Sequence, residues 1–179
     1  MNRNQILTAL KCLGEKAKEA ELKLEVSIYG GTAFLLVYNS REGTKDIDAI
    51  LRPKEIGLKL VAEVSKELDL PEDWLNSNVE QFVSPIAETK RRLASIEDET
   101  GLIVRVPTAK YLLAMKTLAC RRPIGSYQGD VADLRFLIRK MEIRNLSEIQ
   151  DVLDRYYPDE VIQAKNIPLL KSLIEAQDE

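Results

Sequence analysis

Residues 22–51 read LKLEVSIYGGTAFLLVYNSREGTKDIDAIL, and the order of elements in this stretch decides the fold. Leu22, Leu24, Val26 and Ile28 alternate with Glu21, Lys23, Glu25 and Ser27. A period of two marks a half-buried strand. Gly30 and Gly31 follow at once, and Thr32 opens the compact apolar run Ala33 to Tyr38, which predicts a short helix. Two glycines between a strand and a helix permit a tight turn and the close approach of a ligand. The helix N-terminus behind them offers N–H groups that suit a phosphate. The polar loop from Asn39 to Lys45 leads into Asp46-Ile47-Asp48-Ala49-Ile50-Leu51, expected as a second strand. On a strand, Asp46 and Asp48 share a face about 6.6 Å apart along the chain. Carboxylates so placed suit Mg²⁺, which takes oxygen ligands and usually shares them with substrate phosphates. Each half of the pattern is common alone: Gly-Gly occurs in many turns, and Asp-x-Asp is often a solvated strand edge.

On either side the periodicity is helical. Residues 4–20 place Ile6, Leu7, Leu10, Leu13 and Ala17 on one face, with lysines and glutamates between. Pro53 ends the second strand, and residues 54–69 put Ile56, Leu60, Val61, Val64 and Leu68 on an inner face. Leu70-Pro71-Glu72-Asp73-Trp74-Leu75-Asn76-Ser77-Asn78 follows, with the only tryptophan. Trp74 is expected to plug the core over the sheet rather than to stack a base. Val79 to Val83 is expected as a short strand. Thr89-Lys90-Arg91-Arg92-Leu93 is a basic cluster, ordinarily solvated surface and alternatively a nucleic-acid or phosphate contact. GLIVRV at 101–106 reads as a strand closed by Pro107.

Thr108 then caps a helix to about Arg121. On a helical wheel, Ala109, Leu112, Leu113, Ala119 and Cys120 form the apolar face, and Lys116 falls in its middle. Lys110, Thr117 and Arg121 take the opposite side. Lysine is almost never fully buried without a partner. Lys116 therefore either reaches an anion in a cleft or makes a structural ion pair. After Arg122-Pro123-Ile124-Gly125-Ser126-Tyr127-Gln128-Gly129 comes a helix from Asp130 to Met141, where Asp130 is an ordinary N-cap candidate. Further helices are expected from Ser147 to Tyr156, from Pro158-Asp159, and from Pro168 to Ala176.

The totals fit one domain, or a domain with a helical extension: 179 residues, 45% hydrophobic, 31% charged, net charge −3. No strong field favours nucleic acid, although a local basic patch can suffice. There is no histidine, which removes imidazole as base, phosphorylated nucleophile and metal ligand. Cys12 and Cys120 make no zinc pattern and read as core thiols. No run approaches the ~20 apolar residues that span a bilayer, and the first residues lack a signal-peptide core. A cytoplasmic protein is the expectation.

A glycine pair, short helix, loop and Thr44-Lys45-Asp46-Ile47-Asp48, in that order, resemble the nucleotidyltransferase superfamily. GGTAFLL…REGTKDIDAIL most resembles its AbiEii-like branch, minimal nucleotidyltransferases found as toxins of toxin–antitoxin pairs and as uncharacterised relatives. The Leu-Pro-x-Asp-Trp-Leu-Asn string agrees with this. The resemblance covers about residues 22–140. It implies an α+β fold: a small mixed sheet flanked by helices in an α/β core over 1–107, with a C-terminal helical bundle over 108–179 completing the cleft. It implies Mg²⁺ at Asp46 and Asp48, and an NTP at Gly30, Gly31, Thr32 and Thr44. In AbiEii-like proteins a buried-side lysine precedes a helix opening Asp-x-x-Asp-Leu. By that likeness Lys116 contacts the triphosphate, and either Asp130 or Asp133 supplies the third carboxylate, because GLIVRV offers only Arg105 where many relatives carry an acid. Three functions remain open. One is transfer of a nucleotide to RNA such as a tRNA end, with a cognate antitoxin as partner. Another is modification of a small molecule or protein hydroxyl. The last is an inactive nucleotide-binding or interaction module.

Overall fold

The computed structural model describes residues 1–84, 86, 91–92, 100–125 and 129–177, with the side chains of Arg91 and Arg92 left aside. The chain forms two compact units: Met1–Gln81 with Thr89–Pro107, and Phe82–Glu88 with Thr108–Glu179.

The first unit opens with α1 (Arg3–Glu19), capped by Asn2 and Gln5 in a reciprocal capping box. Strand β1 (Leu24–Ile28) leads into a one-turn helix α2 (Gly30–Ala33), which widens into a π-helical turn, Phe34–Tyr38. Left-handed Asn39 ends that turn. Next come β2 (Ile47–Arg52), α3 (Lys54–Glu67), β3 (Leu75–Asn76), β4 (Arg91–Arg92) and β5 (Leu102–Val106). The sheet order is β3-β2-β1-β5-β4, with β1 antiparallel to β2 and parallel to β5. This is a mixed sheet in an α+β chain.

Register assigns two faces to the sheet. Val26 stands between Leu51 and Val104, and Leu24, Ile28, Ile47, Ala49, Leu102 and Val106 share that buried face. Helices α1 and α3 pack on each other and against β5 and β2. Ser27 stands between Ile50 and Arg105 on the other face, which carries Glu25 and Asp48. Trp74 is buried and its indole N–H donates to the Val61 carbonyl at 3.1 Å, so it is a core plug.

Two expectations change here. Val79–Val83 is not a strand: Asn78–Phe82 forms a 3₁₀ turn, begun by the Asn78 N–H donating to the Asn76 side chain at 3.0 Å. An Asx turn of this kind competes with ladder pairing. Asp46 also lies outside β2, which starts at Ile47. Of the basic cluster, Thr89, Lys90 and Leu93 lie outside the described residues.

The second unit holds α4 (Ala109–Ala119), α5 (Val131–Lys140), α6 (Leu146–Tyr156), a 3₁₀ turn (Ala164–Asn166) and α7 (Ile167–Glu175). Thr108 caps α4, accepting from the Tyr111 N–H at 3.3 Å. Because α4 packs against both α5 and α6, its buried surface is wider than a single stripe. Tyr111, Ala114 and Thr117 are buried along with Leu112, Leu113 and Lys116, whereas Ala119 is exposed. Thr117, expected on the solvent side, is buried. Asn145, not Ser147, caps α6, accepting from the Glu148 N–H at 3.0 Å. Pro158-Asp159 is a turn, not a helix start. Residues 126–128 of the loop before α5 lie outside the described residues.

Candidate functional site

In the first unit, the Tyr29 N–H donates to the Asp48 carbonyl at 2.8 Å, which draws the glycine turn alongside Asp48. Gly30 has φ +58°, a conformation side chains avoid, and a Cβ there would meet Asp48 Oδ2 at 2.5 Å. At Gly31 a Cβ would lie 2.9 Å from Thr44 Oγ1 and 3.1 Å from Arg41 Nη1. The room that the glycine pair creates is thus shared by the carboxylate of Asp48, the hydroxyl of Thr44 and the guanidinium of Arg41.

Asp46 is fixed through its backbone. The hydroxyls of Thr32 and Thr44 both donate to its carbonyl, at 3.1 and 3.2 Å. Thr32 is fully buried, so its hydroxyl serves this link and faces the acidic loop. The Asp46 carboxylate accepts from the Asn76 amide at 3.0 Å. Asn76 is also the register partner of Asp48 across the β2–β3 pair, so Asp46, Asp48 and Asn76 form one local group. Thr44 is held in turn: its N–H donates to the Met1 carbonyl at 2.9 Å, and the Met1 amine donates to the Thr44 carbonyl. The guanidinium of Arg3 donates to the carbonyls of Leu35 and Leu36, both at 2.8 Å, tying α1 to the π turn.

Asp46 and Asp48 are half-buried. Among the described residues of this unit, no set of three acidic, cysteine or histidine side chains gathers. Two carboxylates, one of them held by the Asn76 amide N–H, do not make an all-protein cage. They do fit Mg²⁺, which keeps waters and binds through one or two carboxylates plus substrate phosphates. The crowding of Asp48 onto Gly30, where any Cβ would displace the carboxylate, is the local feature consistent with that use. Arg105, in the position where an acid was sought, pairs with Glu25 at 3.0 Å.

The second unit holds Lys116, Asp130 and Asp133. Lys116 is only 5% exposed, and its amine lies 2.6 Å from Asp130 Oδ1 and 2.8 Å from Asp133 Oδ2. Asp130 occupies the N-cap position of α5 without capping it. Its carboxylate instead accepts from Lys116 and from the Arg121 backbone N–H (3.0 Å), Nε (2.9 Å) and Nη2 (3.1 Å). Burial pushes the Asp130 carboxyl up, but the Arg121 hydrogen bonds and the Lys116 charge outweigh it, and the net shift is below the ordinary carboxylate range. Two cations face two acids, so the cluster is balanced in charge. Both cysteines are buried, Cys12 in the first unit and Cys120 in the second, and burial pushes each thiol up.

Sequence reasoning passed over Arg41, Asn76 and Arg121. Arg41 sits in a polar loop, where an arginine attracts no notice. Asn76 lies in a string that supports the family resemblance and draws notice for its tryptophan, but that assigns Asn76 no role. Arg121 was put on the solvent side, and its guanidinium side chain is indeed 58% exposed while its inner nitrogens reach Asp130.

A family model described as "Nucleotidyltransferase of unknown function (DUF6036)" matches residues 7–178. The chain belongs to that family. No curated protein and no solved structure matches it significantly. No helix among the described residues is long and apolar enough to cross a membrane.

Proposed function

From membership of a nucleotidyltransferase family, we propose that this chain is a Mg²⁺-dependent enzyme of AbiEii-like type. It moves a nucleoside monophosphate from an NTP to an acceptor hydroxyl in the cytoplasm. The observation that carries the reading is the packing of Asp48 on Gly30, with Asp46 locked beside it by Thr32, Thr44 and Asn76. Asp46 and Asp48 hold the metal. Mg²⁺, when bound, supplies charge stabilisation to the attacking and leaving oxygens. The N–H groups of Gly31 and Thr32 face the phosphates, with Thr44 and the guanidinium of Arg41 beside them. Arginine suits this position because its planar fork matches phosphate oxygens.

Lys116, with Asp130 or Asp133, is given the role implied by the AbiEii-like resemblance: a cation for the triphosphate and an ionised carboxylate that takes the acceptor proton. For that role the Lys116 amine must exchange a carboxylate for a phosphate. RNA, tRNA among it, is the acceptor class proposed first, with the chain acting as the toxin of a toxin–antitoxin pair. Incubation with each labelled NTP, Mg²⁺ and total RNA tests this. Label on RNA that disappears in Asp46→Asn supports it. No label with any nucleotide, on RNA or on protein, counts against enzymatic transfer. Growth arrest on expression, relieved by Asp46→Asn, tests the toxin role.

A second reading has its own support. The first unit shows no third acid beside Asp46 and Asp48 among its described residues, as expected of a nucleotide-binding module without transfer chemistry. Mg²⁺-dependent NTP binding without product is its signature.

A further inference from the structure

Asn76 reaches the acidic pair by a short mechanical path. Pro71 turns the chain, its carbonyl accepting from the Trp74 N–H at 3.0 Å, and the Ile47 N–H donates to the Trp74 carbonyl at 2.8 Å. Trp74 and Leu75 are buried, which anchors β3 beside β2. Side chains alternate along a strand, so Asn76 emerges on the face opposite Leu75, next to its register partner Asp48.

The amide is oriented unambiguously. Asn76 Oδ1 accepts from the Asn78 N–H at 3.0 Å, and a backbone N–H can only donate, so the nitrogen end must face Asp46 Oδ2, 3.0 Å away. An amide donor has a particular merit here. Lysine or arginine in its place would neutralise Asp46 and compete with a cation. Aspartate would set like charges together and favour protonation. A neutral donor holds one carboxylate oxygen and leaves the negative charge in place. Removing a group that orients a metal ligand in this way typically costs about 10- to 100-fold in metal affinity.

We propose that Asn76 is a positioning residue that orients the Asp46 carboxylate for a divalent cation, with the Asn78 N–H as its own anchor. This rests on the metal role given to Asp46 above. The test uses Mn²⁺ as probe, followed by its paramagnetic signal, in the presence of a non-hydrolysable NTP analogue. Asn76→Ser keeps an acceptor for the Asn78 N–H but is too short to reach Asp46. Its Mn²⁺ affinity is expected to fall by about 10- to 100-fold, with the melting temperature unchanged. In an Asp46→Asn background the same change is expected to have no further effect, because Asn76 acts through Asp46. Wild-type Mn²⁺ affinity in Asn76→Ser, or an equal loss in both backgrounds, would overturn the inference and leave the metal role of Asp46 standing. Absence of Mn²⁺ binding by the wild type would overturn both.

Discussion

Asp46 and Asp48 in the first unit, and Asp130 and Asp133 in the second, are the same residue type put to opposite use. The first pair is half-buried, held through backbone carbonyl contacts and a neutral amide. The second pair is buried against Lys116 and Arg121, already in charge balance. The difference is one of desolvation. A buried carboxylate needs its counter-charge built into the fold, because the cost of an unpaired one is several kcal/mol. A half-buried carboxylate keeps contact with water, so an incoming cation can reach it.

Stability separates the two regions most sharply. Lys116→Met leaves Asp130 and Asp133 without their shared amine and is expected to cost about 3–5 kcal/mol, read by urea unfolding. Asp48→Asn is expected to change stability by less than about 1 kcal/mol while eliminating Mg²⁺-dependent NTP binding. Equal destabilisation by both would erase the distinction.

Acid gives the next contrast. The Asp130 carboxyl titrates below its unfolded value of about 3.9. Its contribution is therefore present in full above that pH and is lost as pH falls through the lower, folded value. Asp130→Asn, destabilised near neutrality, should begin to converge on the wild type as pH falls below about 4 and meet it only below the lower, folded value, as followed by unfolding at successive pH values. A gap that persists in acid would show that the carboxylate charge is not what Asp130 contributes.

Smaller effects test the local geometry. Gly30→Ala puts a side chain in the left-handed region and against Asp48, at a cost of about 1–2 kcal/mol, with loss of metal affinity from the displaced carboxylate. Thr117→Val goes the other way. The Thr117 hydroxyl is buried with no hydrogen-bond partner among the described residues, so its removal is expected to stabilise the second unit by on the order of 1 kcal/mol. Thermal melts decide both signs.

These particulars mark where sequence is readable. Strands β1 and β5 and helices α1 and α3 follow from periodicity, because one face of each is buried, although Ile56, expected on the inner face of α3, is exposed; α4 is buried more widely than its stripe implies. Lys116 stood out because a lysine on an apolar face demands a partner. Its partners did not stand out together: Asp133 and Asp130 are separated from it by a loop, and Arg121 by a change of backbone direction at left-handed Cys120. Asp46 was misplaced on the strand because what pins it are hydroxyls of Thr32 and Thr44, one of them fourteen residues away in sequence. No local pattern encodes a link of that kind. Asn76 was invisible for the same reason: its role exists only through β3 register.

The central claim is that Asp46 and Asp48 hold a divalent cation together with a nucleoside triphosphate. Calorimetric titration of NTP into the wild type and Asp48→Ala, each with and without Mg²⁺, tests it most directly. The account predicts wild-type binding that requires Mg²⁺ and no Mg²⁺-dependent binding in Asp48→Ala. Binding that is indifferent to Mg²⁺, or that survives in Asp48→Ala, would contradict it.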